Sequence, residues 1–577
     1  MGAVFGVVGD GDLTAVREMG RRMAHRGSNS YAWNPCPGVY LGENRSVSNS
    51  IGASDNLALD ERIYRLDSSN DADISLRNVF ARIFNTGNLA ELDRIRGPFS
   101  AAYWNDRTRQ LVLAVDQLGL KSLYYCQLQG RVAFASEYKA FFALPDFRPQ
   151  IDPTAIQYHQ ATRTAMPSRP SLQNVKMLRS GSIVSIKDGK ANVEQYWQPE
   201  VNETNKSIEE WSGLVKKQTI DTLAEQIHSH KRVGISLSGG IDSAIVAASA
   251  CLFKTSNDVT AYSVGLAESD PEIVGARQVA DHLGIDHKVT IFESGDIKKY
   301  LPEAVWLSED CTAREEALLT LKLYQFVAGS ETLLLNGYGA DSIFGGMPRH
   351  KIIAWAQRWP LFRHSLLELY QLTQTGRIPT SGLGKALGQI VYRGSNYAPP
   401  RVAGASGPTV VTNPHDLNQH LADSASVRSS WLYIEPMAEQ SDLDVRSPFD
   451  HMDGIDLALS IPVQHKVGLR KQKIVLRKAF ADLLPDAVMK RPKTIQRLQH
   501  DLMLSSALDE MVSETANFSH IRERRLVDSD YLERVRGRKA RSAYPTDQLY
   551  RIWTLISLEI WLRQFADGGG KFWTFDS

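Results

Sequence analysis

The chain has 577 residues, too many for a single hydrophobic core, so two or more domains are expected. Hydrophobic residues make up 43% and charged residues 23%, the mix of an ordinary globular protein. With 66 Lys and Arg against 65 Asp and Glu, the charge supplies no field for nucleic acid or an anionic membrane surface, and neither is expected as a partner.

Four cysteines, Cys36, Cys126, Cys251 and Cys311, lie far apart without metal-ligand spacing, which fits reduced thiols in a cytoplasmic protein. The start, MGAVFGVVGDGD, lacks the basic n-region of a secretory signal, and Gly6 stands where a myristoylation motif needs Ser or Thr. The longest apolar-looking run, 244–253, is too short to span a bilayer.

In chain order, β-rich runs at 4–8, 111–115, 122–126 and 132–135 are cut by Gly, Asp and Asn, with a short helix expected at 79–86. A further strand pair, 181–186 and 191–196, is split by the turn Lys187-Asp188-Gly189-Lys190. The polar stretch 198–207 reads as a linker, giving a first domain over 1–200 and a second over 208–577. The pattern then alternates. A helix at 208–229 precedes strands at 232–237, 259–264, 287–291 and 332–335, with helices at 241–253 and 271–283 between them. That alternation implies a parallel sheet covered on both faces. A Gly/Pro/Ser-rich insertion is expected over about 376–415, followed by a mostly helical part.

The first chemical motif is VGISLSGGIDSAIVAA. A buried strand ends at Leu237; Ser238, Gly239, Gly240, Asp242 and Ser243 form the turn into a helix. Two glycines let backbone approach a ligand, and the N–H groups of the helix start can hold an anion. Asp242 sits where a magnesium ion on phosphates wants a hard oxygen. The pattern is neither the dinucleotide fingerprint nor a Walker loop. The second motif is LLLNGYGADSIFGG, 333–346, a strand followed by a glycine-rich turn at the carboxyl edge of the sheet. It carries Gly337, Tyr338 and Asp341, and Asp341 could complete a magnesium site with Asp242.

SGGIDS followed by GYGADSIFGG resembles the signature pair of the asparagine synthetase family. AHRGS at 24–28, LAVDQLGLKSLYY at 113–125, FASEYKAF at 134–141, VRSPFDHMD at 445–453 and KIVLRKAFADLLPDAVMKRPK at 473–493 extend the likeness over nearly the whole chain. The resemblance implies an α+β N-terminal hydrolase-like sandwich of the class II glutamine amidotransferase type. An α/β parallel-sheet ATP-pyrophosphatase domain with a helical C-terminal part would follow. It also implies ATP and Mg2+ as cofactors. Val264 and Gly265 would border the adenine, Lys473 would face developing charge, and Lys493 would assist, although Thr494-Ile495-Gln496 replaces the family's glycine after it.

Two departures narrow the reading. The family's glutaminase uses an N-terminal thiol; Gly2 stands there, and LDERIYRLD replaces the Asn-Gly-Glu segment, so an inactive glutaminase lobe is expected, with His25 and Arg26 as fold residues. Tyr338 replaces the usual Glu, as in the β-lactam and carbapenam synthetases, where a Tyr works with a Glu as base for an attacking nitrogen. Glu435 is the nearest candidate partner, though the branch's spacing falls on Leu432, and Glu439 is the other option. The expected reaction is formation of an acyl-adenylate from a small-molecule or peptide carboxylate, then amide, lactam or macrolactam closure with release of AMP. Lasso-peptide cyclases are relatives in the field; that case would bring a leader-peptide-binding or protease partner. The alternatives are an ammonia-dependent asparagine synthetase or other intermolecular amidotransferase, and a non-catalytic scaffold.

Overall fold

The computed structural model describes residues 2–46, 55–67, 75–163, 165–166, 168–311, 314–375, 402–405, 416–426, 431–491, 502–536 and 546–575. The insertion expected over about 376–415 lies outside them except for 402–405.

The N-terminal part is a sandwich of a six-stranded and a five-stranded sheet, both antiparallel throughout. The first strand, Gly2–Gly9, shows how the layers arise. Period-2 alternation sends Ala3, Phe5 and Val7 to one face, against the helix Leu13–Arg22, and Val4 to the other, against Trp104, Leu111 and Leu113 of the second sheet. The second sheet buries its outer face under the helix Leu76–Thr86 through Phe80, Ile83 and Phe84. The sequence reading captured the 111–115 and 132–135 strands. It missed Asn29–Cys36, Val39–Arg45, Leu57–Glu61 and Phe99–Asn105, whose runs are interrupted by Gly, Asn, Asp and Glu.

A helix with a Ser207–Glu210 capping box, Ile208–Ile227, opens the second part. Five parallel strands follow, in the order Asp286–Ile291, Val259–Gly265, Val233–Ser236, Leu333–Leu335, Asp444–Arg446. All seven residues of Val259–Gly265 are buried, as a strand covered on both faces requires. The fifth strand was not expected: at three residues, Asp-Val-Arg, it is too short and too charged to show periodicity. Helices Ser294–Ser308 and Glu315–Val327 pack together between the third and fourth strands of the chain order. The C-terminal part is helical, as expected. The four cysteines form no disulfide, and among the described residues no helix is long and apolar enough to cross a membrane.

Candidate functional site

The carboxyl edge of the parallel sheet gathers both chemical motifs. The strand Val233–Ser236 ends beside Leu237, whose N–H donates to Tyr262 O (2.9 Å). Ser243 Oγ then closes the loop: it accepts from Ser238 N–H (3.1 Å) and donates to Gly240 O (3.2 Å). Gly239 has φ +65, and a Cβ there would lie 2.7 Å from both Ala276 N and Arg491 Nη1, so no other residue fits. The helix Ile241–Ala250 starts in this loop with Asp242 in its first turn. Val264 and Gly265 end the neighbouring strand, two and three positions past Tyr262, the partner of Ser236.

Asp341 lies in the first turn after the Gly337–Gly339 bend and faces Asp242. Between them stands Lys473, whose Nζ is 2.5 Å from Asp341 Oδ1 and is also ion-paired with Asp242. Lys473 is 4% exposed and holds left-handed backbone (φ +55) at the head of the helix Ile474–Ala479. Burial would lower its pKa, but Asp242 and Asp341 outweigh that and hold the amine above its ordinary value. Gly346 allows the arrangement: a Cβ there would sit 1.8 Å from Asp341 Oδ1 and 2.2 Å from Lys473 Cε. Two carboxylates converging on one cation, at the mouth of an N–H-lined loop, are a donor set suited to magnesium on phosphate oxygens. Lys493 lies outside the described residues. Arg491, two positions before it, donates from Nη1 to Gly239 O (3.4 Å), a basic contact with the loop that the sequence reading passed over.

Tyr338 is held at three points. Its N–H donates to Asn336 Oδ1 (2.9 Å), its carbonyl accepts from Ser447 Oγ (2.6 Å), and its hydroxyl lies 3.3 Å from Thr320 Oγ1 on the helix Glu315–Val327. Its pKa is raised by burial first, eased by the Thr320 bond, and raised further by Glu316, one helical turn before Thr320.

The Tyr338 hydroxyl bonds Thr320, while Glu435 is engaged by Arg26 and Lys121. With Glu439, one turn later on the helix Trp431–Gln440, it faces the N-terminal sandwich. Glu435 pairs with Arg26, and Lys121 Nζ lies 2.7 Å from Glu435, 2.7 Å from Glu439 and 2.9 Å from Asp60. The expectation that Glu435 or Glu439 assists Tyr338 is therefore corrected: i, i+4 spacing gives both carboxylates the same face, and buried cations claim it.

The N-terminal pocket is filled. Arg26 Nε donates to Gly2 O (3.0 Å), and Arg26 Nη1 to Glu137 Oε1 (3.0 Å). A Cβ on Gly2 would lie 2.8 Å from Asn44 O and 3.0 Å from Asp60 Oδ1. Asp60, Glu435 and Glu439 bring carboxylate oxygens within 4.8 Å of one another, and the Lys121 ammonium occupies the centre a metal would need. Burial disfavours the charge on Lys121, and the three carboxylates more than restore it. His25 Nε2 lies 3.0 Å from Glu137 Oε1, and burial lowers its pKa.

The fold and site define an amide-forming ligase: a parallel-sheet domain with a pyrophosphate-type loop, joined to an amidotransferase-type sandwich. The Asparagine synthase family matches residues 214–563, more than half of the chain, and the chain belongs to that family. A Glutamine amidotransferase domain matches 56–197. The chain is 24% identical to asparagine synthetase [glutamine-hydrolyzing] 1 of Bacillus subtilis over 504 residues, 81% of this chain and 77% of that one. It is 26% identical over 449 residues to a putative asparagine synthetase of Mycobacterium tuberculosis, 70% of this chain and 67% of that one. With carboxyethyl-arginine beta-lactam-synthase of Streptomyces clavuligerus it shares 31% over 244 residues, 42% of this chain and 45% of that one.

Proposed function

We propose that this ligase joins a carboxylate to an amine carried by its substrate, in an ATP-dependent reaction that forms AMP and pyrophosphate and takes no nitrogen from glutamine. The observation that carries this is the pairing of Asp242 and Asp341 on one cation beside an N–H-lined loop, while the N-terminal pocket is closed by its own charges. Asp242 and Asp341 would hold magnesium, which supplies charge neutralisation on phosphate oxygens when bound. ATP supplies the activating adenylyl group for the substrate carboxylate.

The chain's own residues then have distinct tasks. The SGGIDS loop, Val264 and Gly265 orient the nucleotide. With Asp242 and Asp341 committed to magnesium, Lys473 would offer its buried ammonium to negative charge developing at the reacting carboxyl. Tyr338 relays a proton: its hydroxyl oxygen takes one from the attacking nitrogen as its own proton passes to solvent by way of the Thr320 hydroxyl. A tethered amine or amide must lose a proton as it attacks, so this arrangement supports ring or amide closure of the lactam-forming kind. The 31% identity to the beta-lactam-synthase supports the same reading. A peptide substrate, with the accessory partners of macrolactam formation, belongs to it.

A second reading, an ammonia-dependent asparagine synthetase, is favoured by the longer match to that enzyme, 81% of this chain. One experiment separates the two. Purified protein, ATP and Mg2+ are supplied with L-aspartate plus ammonium, or with carboxyethyl-arginine as a tethered-amine probe, and AMP, pyrophosphate and amide are measured. Asparagine formation gives the second reading. AMP with a dehydrated product from the probe gives the first. ATP–pyrophosphate exchange in neither case, nor with a wider panel of amino acids and peptides, favours a scaffold.

A further inference from the structure

The residues that replaced the glutaminase chemistry are not idle. Asp60 and Arg62 stand in the LDER stretch where the family has its Asn-Gly-Glu segment; Arg62 makes a contact across the domain boundary, and Asp60 holds Lys121, which makes another. Asp60 receives Lys121 (2.9 Å), which also holds Glu435 and Glu439. Arg62 Nη1 lies 2.9 Å from Asp444 Oδ1 and donates to Val445 O (3.3 Å), while its Nη2 lies 4.0 Å from Glu439. Arg26, Arg62 and Lys121 thus meet Asp60, Glu435, Glu439 and Asp444, three cations against four carboxylates, all buried or nearly so.

Both elements gripped from the N-terminal side lead to Tyr338. Asp444 and Val445 belong to the edge strand Asp444–Arg446. The next residue, Ser447, donates its hydroxyl to the Tyr338 carbonyl (2.6 Å), and Arg446 O accepts from Asn336 N (3.0 Å). Glu435 and Glu439 belong to the helix Trp431–Gln440, which packs on the helix Glu315–Val327. That second helix carries Thr320, the partner of the Tyr338 hydroxyl. One arm therefore fixes the backbone of Tyr338 and the other its side chain.

We propose that Arg62 and Lys121 of the inactive lobe are positioning residues for Tyr338, so that the former glutaminase pocket now sets the geometry of the synthetase site. The proposal rests on the reading of Tyr338 as the proton acceptor, but its physical core, that these residues fix where Tyr338 sits, is separable. Isolated buried charges are costly, and a fully paired cluster is rigid, because moving one member strands the others. A helix and a strand anchored in such a cluster have one docked position.

The test reads Tyr338 directly. The full chain is prepared with 3-fluorotyrosine at position 338 and examined by fluorine NMR, with circular dichroism and cooperative unfolding as checks on the fold. Arg62→Met and Lys121→Met are expected to shift or split the resonance, and Arg62→Lys to restore much of it. Glu439→Gln serves in place of Lys121→Met if that variant fails to fold. Arg22→Met is the control: Arg22 crosses the same boundary to Gly570 O (2.9 Å), which bonds none of the named supports of Tyr338, and should leave the resonance unmoved. An unmoved resonance in Arg62→Met and in the Lys121 or Glu439 variant would overturn the proposal. An equal shift in Arg22→Met would also overturn it, by showing general domain docking. Neither result depends on turnover, so loss of the base role for Tyr338 would be seen separately, in the activity of Tyr338→Phe.

Discussion

Lys473 Nζ lies 2.5 Å from Asp341 Oδ1 and is paired with Asp242 at the same time, so one ammonium joins the two glycine-rich motifs. Removing it leaves two buried-edge carboxylates facing each other. Lys473→Met should therefore gain stability from added Mg2+ more steeply than the wild type, because an ion that binds only the folded state raises its melting temperature. Differential scanning fluorimetry over a Mg2+ titration at constant ionic strength checks this. Equal Mg2+ responses in variant and wild type would show that the two aspartates do not form a cation site.

Asp242→Asn and Asp341→Asn should each abolish ATP–pyrophosphate exchange, while unfolding stays cooperative. A neutral amide is a poor replacement for a carboxylate on a hard cation among phosphates. Direct binding of Mg2+-ATP by calorimetry should weaken in parallel. An exchange rate near that of the wild type would remove the residue from the ligand set.

Tyr338→Phe should keep pyrophosphate exchange and lose amide product by roughly a hundredfold, the usual size of a general-base effect. Glu316→Gln should lower the pKa of the Tyr338 phenol, because the Glu316 charge raises it, and so move the pH profile of amide formation to lower pH. Exchange and amide formation are measured on the same preparation. Normal amide synthesis by Tyr338→Phe would reduce Tyr338 to a packing residue and promote the ammonia-using alternative.

Gly2→Cys should not create a glutaminase. The new Cβ would crowd Asn44 O at 2.8 Å and Asp60 Oδ1 at 3.0 Å, and Asp60 is already committed to Lys121. Glutamate release from glutamine should match a heat-treated control for both wild type and variant. Steady turnover by either protein would contradict the view of the pocket as closed.

His159 gives a pH prediction. Burial, aided by Arg163, lowers its pKa from 6.5 to about 3. The unfolded chain therefore binds a proton below pH 6.5 that the folded chain refuses until about pH 3. The stability that His159 contributes is full above 6.5 and falls through that window, by up to ~1.4 kcal/mol per pH unit. His159→Leu should flatten this part of the acid limb in urea titrations run between pH 4 and 7 (roughly the middle and upper part of the window). An unchanged slope would show that His159 protonates without cost.

Much of this architecture is legible in the residues. The SGGIDS and GYGADS turns can be placed because glycine and carboxylate requirements are local: Gly239 needs left-handed backbone, and Asp242 follows a buried strand at a fixed distance. Asp242 and Asp341 are brought together by parallel pairing of the strands before them, which strand alternation implies. The site of Glu435 was not legible. Its spacing shares a face with Glu439, but nothing local says that the face meets Arg26 and Lys121, more than three hundred residues earlier in the chain. Thr320 and Ser447 were not assigned to Tyr338 for a related reason: each reaches it through packing between elements, which even the quoted segment around Ser447 does not reveal. The edge strand Asp444–Arg446 was hidden by its length and charge.

The ion cluster also constrains the order in which the molecule can be made. As the chain leaves the ribosome, the sandwich has all its strands by Gln195, and domains generally fold as units from the N-terminus. Arg26, Arg62 and Lys121 would then lie in a half-built interior whose matching carboxylates, Glu435, Glu439 and Asp444, are synthesised hundreds of residues later. Until those arrive, the early lobe must keep its cations solvated by staying loose at this corner. Such long-range closure slows the final step of folding and lengthens the time an unfinished surface is exposed to aggregation. A nascent-chain intermediate that is protease-sensitive around Arg62 and hardens only on completion is the signature this topology would leave.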